Sequence, residues 1–124
     1  MVEEVREIVV VDDDSSMSQA IERLLVTSGW KARSFASAED LMVWDQRAGM
    51  AFLILDIQLP GMSGLDLHEH LASSGICPPV VFITGYDQPY FRQRAEQAGA
   101  VAYLTKPFPG QLLTDAIRRH LSAA

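Results

Sequence analysis

The run Ala51-Phe52-Leu53-Ile54-Leu55 is apolar without a break and ends on one aspartate, Asp56. Ile57-Gln58-Leu59-Pro60-Gly61-Met62-Ser63-Gly64 follows. A continuous apolar run suits a strand buried on both faces, as in a parallel sheet, where strands do not alternate in polarity. Pro60, Gly61 and Gly64 then turn the chain out of that strand. Asp56 is thereby expected at the C-terminal tip of a central buried strand, the edge at which open α/β sheets bind ligands. A strand-ending aspartate that merely caps a turn is the competing reading, and the rest of the chain decides between them.

Upstream, Ile8-Val9-Val10-Val11 is β-branched throughout and favours strand, ending in Asp12-Asp13-Asp14. Ser15 or Ser16 can cap a helix there. Met17, Ala20, Ile21, Leu24 and Leu25 fall on one helical stripe that Gly29 closes. Asp14 reads as a first-turn acid. Trp30 to Phe35 alternates as an edge strand does. Ser37-Ala38-Glu39-Asp40 resembles a capping box for a second helix running to about Ala48, with Leu41 and Trp44 inward. After the central strand, a third helix spans Leu65 to about Ser74, with Leu67 and Leu71 inward and Gly75 at its end.

Val80-Val81-Phe82-Ile83 is a second unbroken apolar run, ending at Thr84-Gly85. A fourth helix fits Gln88 to Ala98. Its stripe of Phe91, Ala95 and Ala98 is weak, so it is expected to be the least firmly packed. Ala100 to Thr105 makes a fifth strand that ends at Lys106-Pro107. A fifth helix runs from about Pro109 to Leu121, with Leu112, Leu113, Ala116, Ile117 and Leu121 inward. Five strands alternating with five helices imply right-handed crossovers and a doubly wound α/β fold, a five-stranded parallel sheet covered on both faces. The flavodoxin-like order 2-1-3-4-5 sets the first and third strands side by side. The whole chain, 1–124, reads as one domain with its core from about residue 8 to 121.

In that order the strand ends bring Asp12, Asp13, Asp56, Thr84 and Lys106 to one rim. Carboxylates about 4 Å apart at an effective dielectric near 20 repel by roughly 4 kcal/mol per pair. Either one takes up a proton or a cation sits among them. Oxygen ligands with no His or Cys in reach select Mg²⁺, with Mn²⁺ as a substitute. Lys106 adds a point charge suited to a phosphate and Thr84 a hydroxyl donor, a set suited to phosphoryl transfer with a carboxylate nucleophile.

The segments Val11-Asp12-Asp13, Asp56 to Gly64, Ile83-Thr84-Gly85, and Ala98-Gly99-Ala100 through Lys106-Pro107-Phe108 resemble, in order and spacing, the CheY-like receiver domain of two-component response regulators. The likeness extends from about Ile8 to Leu121. The Thr84-Gly85 pair is most similar to receivers of FixJ/LuxR-type regulators, although no output domain is expected within these residues. The resemblance implies that Asp56 accepts a phosphoryl group from a phosphohistidine on a sensor histidine kinase. It implies Mg²⁺ held by Asp13, Asp56 and the backbone carbonyl of Gln58, with Asp12 acting partly through water. Thr84 would then bond the phosphoryl oxygen, Lys106 would pair with Asp56 and afterwards with the phosphoryl group, and Tyr103 would turn inward as Thr84 moves. The Lys106-Pro107 bond would be cis. Such a domain catalyses only its own phosphorylation and dephosphorylation, and so is not an enzyme in the ordinary sense. A phosphorylation-dependent homodimer through the fourth helix, fifth strand and fifth helix is a further implication.

Three rival readings carry less. An aspartyl-nucleophile phosphatase of the haloacid-dehalogenase type needs a second aspartate two residues after the first, where this chain has Gln58. A degenerate receiver that only binds partners would not need intact Asp12, Asp13, Asp56, Thr84 and Lys106. A nucleotide-binding flavodoxin-like protein would carry a Gly-rich loop after the first strand, and this loop is Asp-rich. The net charge of −6 argues against direct nucleic-acid binding. No run approaches the 18 apolar residues of a membrane span, and the acidic N-terminal residues Glu3 and Glu4 do not suit a secretory signal. Cys77 makes no internal disulfide and reads as a small, buried or half-buried thiol. A cytoplasmic protein without membrane attachment is the expectation. His68, His70 and His120 are expected on helices away from the rim, in surface or interface roles, and Trp30 and Trp44 in packing.

Overall fold

The computed structural model describes residues 6–121, so Glu3 and Glu4 lie outside the described residues. The sequence folds into β1 (Glu7–Val11), α1 (Ser15–Thr27), β2 (Ala32–Phe35), α2 (Ala38–Met42), β3 (Met50–Asp56), α3 (Gly64–Ser73), β4 (Val80–Thr84), α4 (Pro89–Gln97), β5 (Ala102–Thr105) and α5 (Gly110–Arg118). A 3₁₀ turn, Arg47–Gly49, precedes β3. The strands form one sheet in the order β2-β1-β3-β4-β5, every pair parallel. This is the flavodoxin-like order expected.

The apolar runs are buried on both sides because successive side chains of a strand point to opposite faces. Val9, Val11, Leu53, Leu55, Val80 and Phe82 meet Leu41 of α2, Leu67 and Leu71 of α3 and Ala95 of α4 on one face. Ile8, Val10, Phe52, Ile54, Val81 and Ile83 meet Ile21 and Leu25 of α1 and Leu113, Ala116 and Ile117 of α5 on the other. All seven residues of β3 are buried.

Several local expectations are corrected. Asp14, not a serine, caps α1: its carboxylate accepts from the backbone N–H groups of Ser16 and Met17 at 3.0 and 3.2 Å. The inward stripe of α1 is set by Ser18, Ile21 and Leu25, and Ala20 is exposed. α2 stops at Met42 rather than near Ala48. Trp44 leaves the helix to pack on Phe35 of the edge strand, ring centres 5.4 Å apart, with the Arg33 guanidinium 4.8 Å from its own ring centre. Arg47 closes the turn by donating to the Trp44 carbonyl at 2.9 Å. The polar run Asp45-Gln46-Arg47 offers the sheet nothing apolar that would hold another helical turn. On α5, Leu112 is exposed and Thr114 takes the buried place instead. β2 and β5 each start two residues later than expected.

Cys77 is exposed, since the loop before β4 carries it clear of the core. His68 is buried rather than at the surface, its ring edge-on to Phe82 at 5.7 Å. Burial disfavours its charged form and holds its pKa below the ordinary histidine value. α4 has only Ala95 fully buried, consistent with its weak stripe, and is tied to α3 by Arg94, which reaches Asp66 and Glu69 at 3.2 and 3.0 Å. Among the described residues no helix is long and apolar enough to cross a membrane.

Candidate functional site

Sheet register assembles the site. Val11 is the partner of Leu55, so the next residues in each chain segment, Asp12 and Asp56, leave adjacent strands side by side. Thr84 is the partner of Thr105, so Lys106 emerges next to the end of β4. Its backbone N–H donates to the Thr84 carbonyl at 2.8 Å. The switch point between β1 and β3 therefore lies under the three acids.

Asp12 and Asp56 are buried, at 1% and 4% exposure, while Asp13 is exposed. Each of the three offers a carboxylate oxygen within 4.8 Å of the others. Lys106 Nζ donates to Asp56 Oδ2 at 2.9 Å and to Asp12 Oδ2 at 3.0 Å. The remaining oxygens of the buried pair are held by backbone: Asp56 Oδ1 accepts from Gln58 N and Asp12 Oδ1 from Asp14 N, both at 2.9 Å. These bonds fix the rotamers of both acids and leave the site facing the loop.

Burial is the largest influence on Asp56 and raises its pKa from 3.8 to about 6. Hydrogen bonds from Lys106 and Gln58 oppose the rise, and the Asp12 charge adds to it. Burial by itself would lower the Lys106 pKa, but its hydrogen bonds to Asp56 and Asp12 outweigh that and raise it, so the ammonium is firmly charged. One ammonium against three carboxylates leaves a deficit of two positive charges. That deficit and the all-oxygen donor set fit a small, hard divalent cation.

Thr84 is fully buried. Its hydroxyl lies 3.2 Å from Gln58 Oε1 and 3.1 Å from the Tyr86 carbonyl, and accepts from Tyr86 N at 3.0 Å. The Gln58 side chain is a partner of Thr84 that no local pattern signals beyond its place two residues after Asp56. Tyr103 stands on β5, half-buried, and donates its hydroxyl to Asp87 Oδ1 at 2.9 Å. The Lys106-Pro107 bond is cis.

Gly64 does more than break the strand. The first residue of α3 lies so close to the Asp56 backbone that an added Cβ would collide with the Asp56 carbonyl oxygen and approach its carbon to 2.9 Å. Gly64 N also donates to the Ile57 carbonyl at 3.1 Å. Only glycine lets the helix start this near the site.

Two buried aspartates and a lysine thus converge at the switch point of a doubly wound α/β domain. The family model described as the response regulator receiver domain matches residues 8–118, and the chain belongs to that family. Among relatives, it is 39% identical over 108 residues to nodulation protein W of Bradyrhizobium diazoefficiens, covering 87% of this chain and 48% of that protein. It is 36% identical over 117 residues to response regulator protein TmoT of Ectopseudomonas mendocina, covering 94% and 53% respectively. The chain thus spans about half the length of the curated relatives it matches. Among solved structures, response regulator StyR superposes with a TM-score of 0.85 at 36% identity, covering 94% of this chain and 59% of that one. A CheY-like receiver domain protein from Methanospirillum hungatei superposes at 0.83 with 25% identity, covering 93% and 92%.

Proposed function

We propose that this chain is a phosphoryl acceptor in a histidine-to-aspartate relay, with Asp56 as the acceptor. The observation that carries the reading is the Asp56 carboxylate itself. It is buried at the switch point, held by Lys106 and the Gln58 N–H, and has two further acids close enough to share a cation. Its oxygen attacks phosphorus, forming an O–P bond as the N–P bond to the donor imidazole breaks, and the electron pair leaves with the imidazole. The donor is a sensor histidine kinase.

Asp12, Asp13, Asp56 and the Gln58 backbone carbonyl are the proposed ligands of Mg²⁺, or of Mn²⁺ in its place. The cation supplies charge neutralisation to the transferring phosphoryl group. Lys106 stabilises negative charge on the phosphoryl oxygens from a position already fixed by its two carboxylate bonds. Thr84 exchanges its Gln58 and Tyr86 bonds for one to a phosphoryl oxygen, and Tyr103 follows by turning inward. Where this domain is joined to an output segment, as in relatives named as transcriptional regulatory proteins such as DctD of Pseudomonas aeruginosa, the readout is transcription. A cytoplasmic location belongs to the same reading.

Incubation with Mg²⁺ and acetyl phosphate tests it by intact mass. Wild type is expected to gain one phosphoryl mass, and Asp56→Asn or wild type with excess chelator none. Equal gain by Asp56→Asn at a comparable rate sinks the assignment.

A further inference from the structure

The loop between β4 and α4, residues 85–88, is fastened by Asp87 and Arg92, which the acceptor chemistry does not use, together with Tyr103. Asp87 takes a two-pronged ion pair from Arg92 on the first turn of α4: Nε to Oδ1 and Nη2 to Oδ2, both at 2.9 Å. Asp87 Oδ1 also accepts the Tyr103 hydroxyl at 2.9 Å. The Arg92 guanidinium lies 4.6 Å from the centre of the Tyr103 ring. One residue from the loop, one from α4 and one from β5 thus form a closed ring in which each touches the other two. Each contact is exposed and individually weak, but all three hold the same piece of backbone.

That backbone leads to the acceptor. Gln58 N donates to Asp56 Oδ1, the Thr84 hydroxyl lies against Gln58 Oε1, and Tyr86 N donates to Thr84 Oγ1. Asp87 is the next residue. A hydroxyl has one proton, so Thr84 cannot serve a phosphoryl oxygen on Asp56 while it still serves Gln58 or the Tyr86 carbonyl. Releasing Tyr86 displaces the peptide that carries Asp87, and Asp87 is anchored on Arg92 and Tyr103.

We infer that Asp87, Arg92 and Tyr103 are a latch, which holds the loop in the form with Thr84 turned to Gln58 and Tyr86 and so lowers the affinity of Asp56 for a phosphoryl group. The inference rests on the acceptor reading above and names how that site is regulated. Asp87 and Arg92 are positioning residues, since neither touches the acceptor. Coupling of this kind is reciprocal. A partner whose charged groups compete for Asp87 or Arg92 opens the latch and favours the phosphorylated state, and phosphorylation in turn frees both residues for that partner.

Beryllofluoride, added with Mg²⁺ to wild type, Asp87→Asn, Arg92→Gln and the exposed α1 control Arg23→Gln, provides the test. Bound fluoride is followed by fluorine NMR. Half-saturation is expected at about two- to five-fold lower beryllofluoride in the two latch variants, the scale set by an exposed ion pair, and at the wild-type value in Arg23→Gln. The double variant Asp87→Asn/Arg92→Gln is expected to gain less than the product of the single gains, because both remove one shared pair. Before beryllofluoride is added, the amides of residues 85–88, 90 and 91 should exchange faster in the latch variants. Equal half-saturation in all variants overturns the latch while leaving the acceptor role standing. Failure of wild type to bind beryllofluoride overturns the acceptor role itself.

Discussion

Asp56 stores free energy in its burial, and the sign of that storage can be measured. In the unfolded chain its carboxyl titrates near 3.8, and in the folded, metal-free protein near 6. Between these values the folded state holds a proton that the unfolded state has released. Stability therefore falls as pH rises through this window and levels off above it. A shift from 3.8 to about 6 corresponds to roughly 3 kcal/mol. In metal-free buffer at pH 7, Asp56→Asn should stabilise the domain by about 1–3 kcal/mol and flatten the pH profile between 4 and 6. Lys106 keeps Asp12 as its partner in that variant. His68 works in the opposite direction, since a buried neutral histidine costs stability as pH falls below its ordinary value of 6.5, but it is common to both proteins and cancels in the comparison. Denaturant melts across this pH range give the answer, and parallel profiles for the two proteins would contradict the assignment. The acids, Thr84 and Lys106 were legible in the sequence because each ends an apolar run. His68 lies three residues from both Leu65 and Leu71, on the buried arc of α3, but a polar ring does not show by its type that the arc is wide enough to include it.

At the level of elements, the junction of β3 with α3 decides how the acceptor is presented. Ser63 caps α3 by accepting from Asp66 N at 3.1 Å, and Gly64 brings the first turn of the helix against the Asp56 backbone. In Gly64→Ala the methyl group meets backbone rather than a movable side chain, so helix or strand must shift. The expected cost is about 1–3 kcal/mol, read from urea unfolding, with slower phosphorylation from acetyl phosphate because the strand tip moves. Unchanged stability and rate would show that the junction yields freely. Strand placement and the existence of five helices followed from hydrophobic period, whereas helix ends did not. α2 is short because Trp44 finds Phe35, a contact between residues whose pairing depends on where the edge strand lies.

For the whole molecule, β5 is an edge strand of the sheet and carries the half-buried Tyr103, and α5 after it carries the exposed Leu112. A phosphorylation-dependent homodimer through α4, β5 and α5 is expected to sediment as a larger species with Mg²⁺ and beryllofluoride than without. Identical sedimentation up to high protein concentration would remove the dimer from the proposal. The amino-acid sequence by itself determined the alternation of strands and helices, the two-faced burial of the central strand and the polar residue at each strand end, because these depend on local period and on chain-breaking residues. Only the tertiary structure decided that Lys106 bridges both Asp12 and Asp56, that Gln58 reaches Thr84, that Gly64 is needed for clearance, and that Asp87, Arg92 and Tyr103 close a ring. Each of those contacts joins separate segments of the chain, and their distances depend on sheet register and helix packing, which no local pattern encodes.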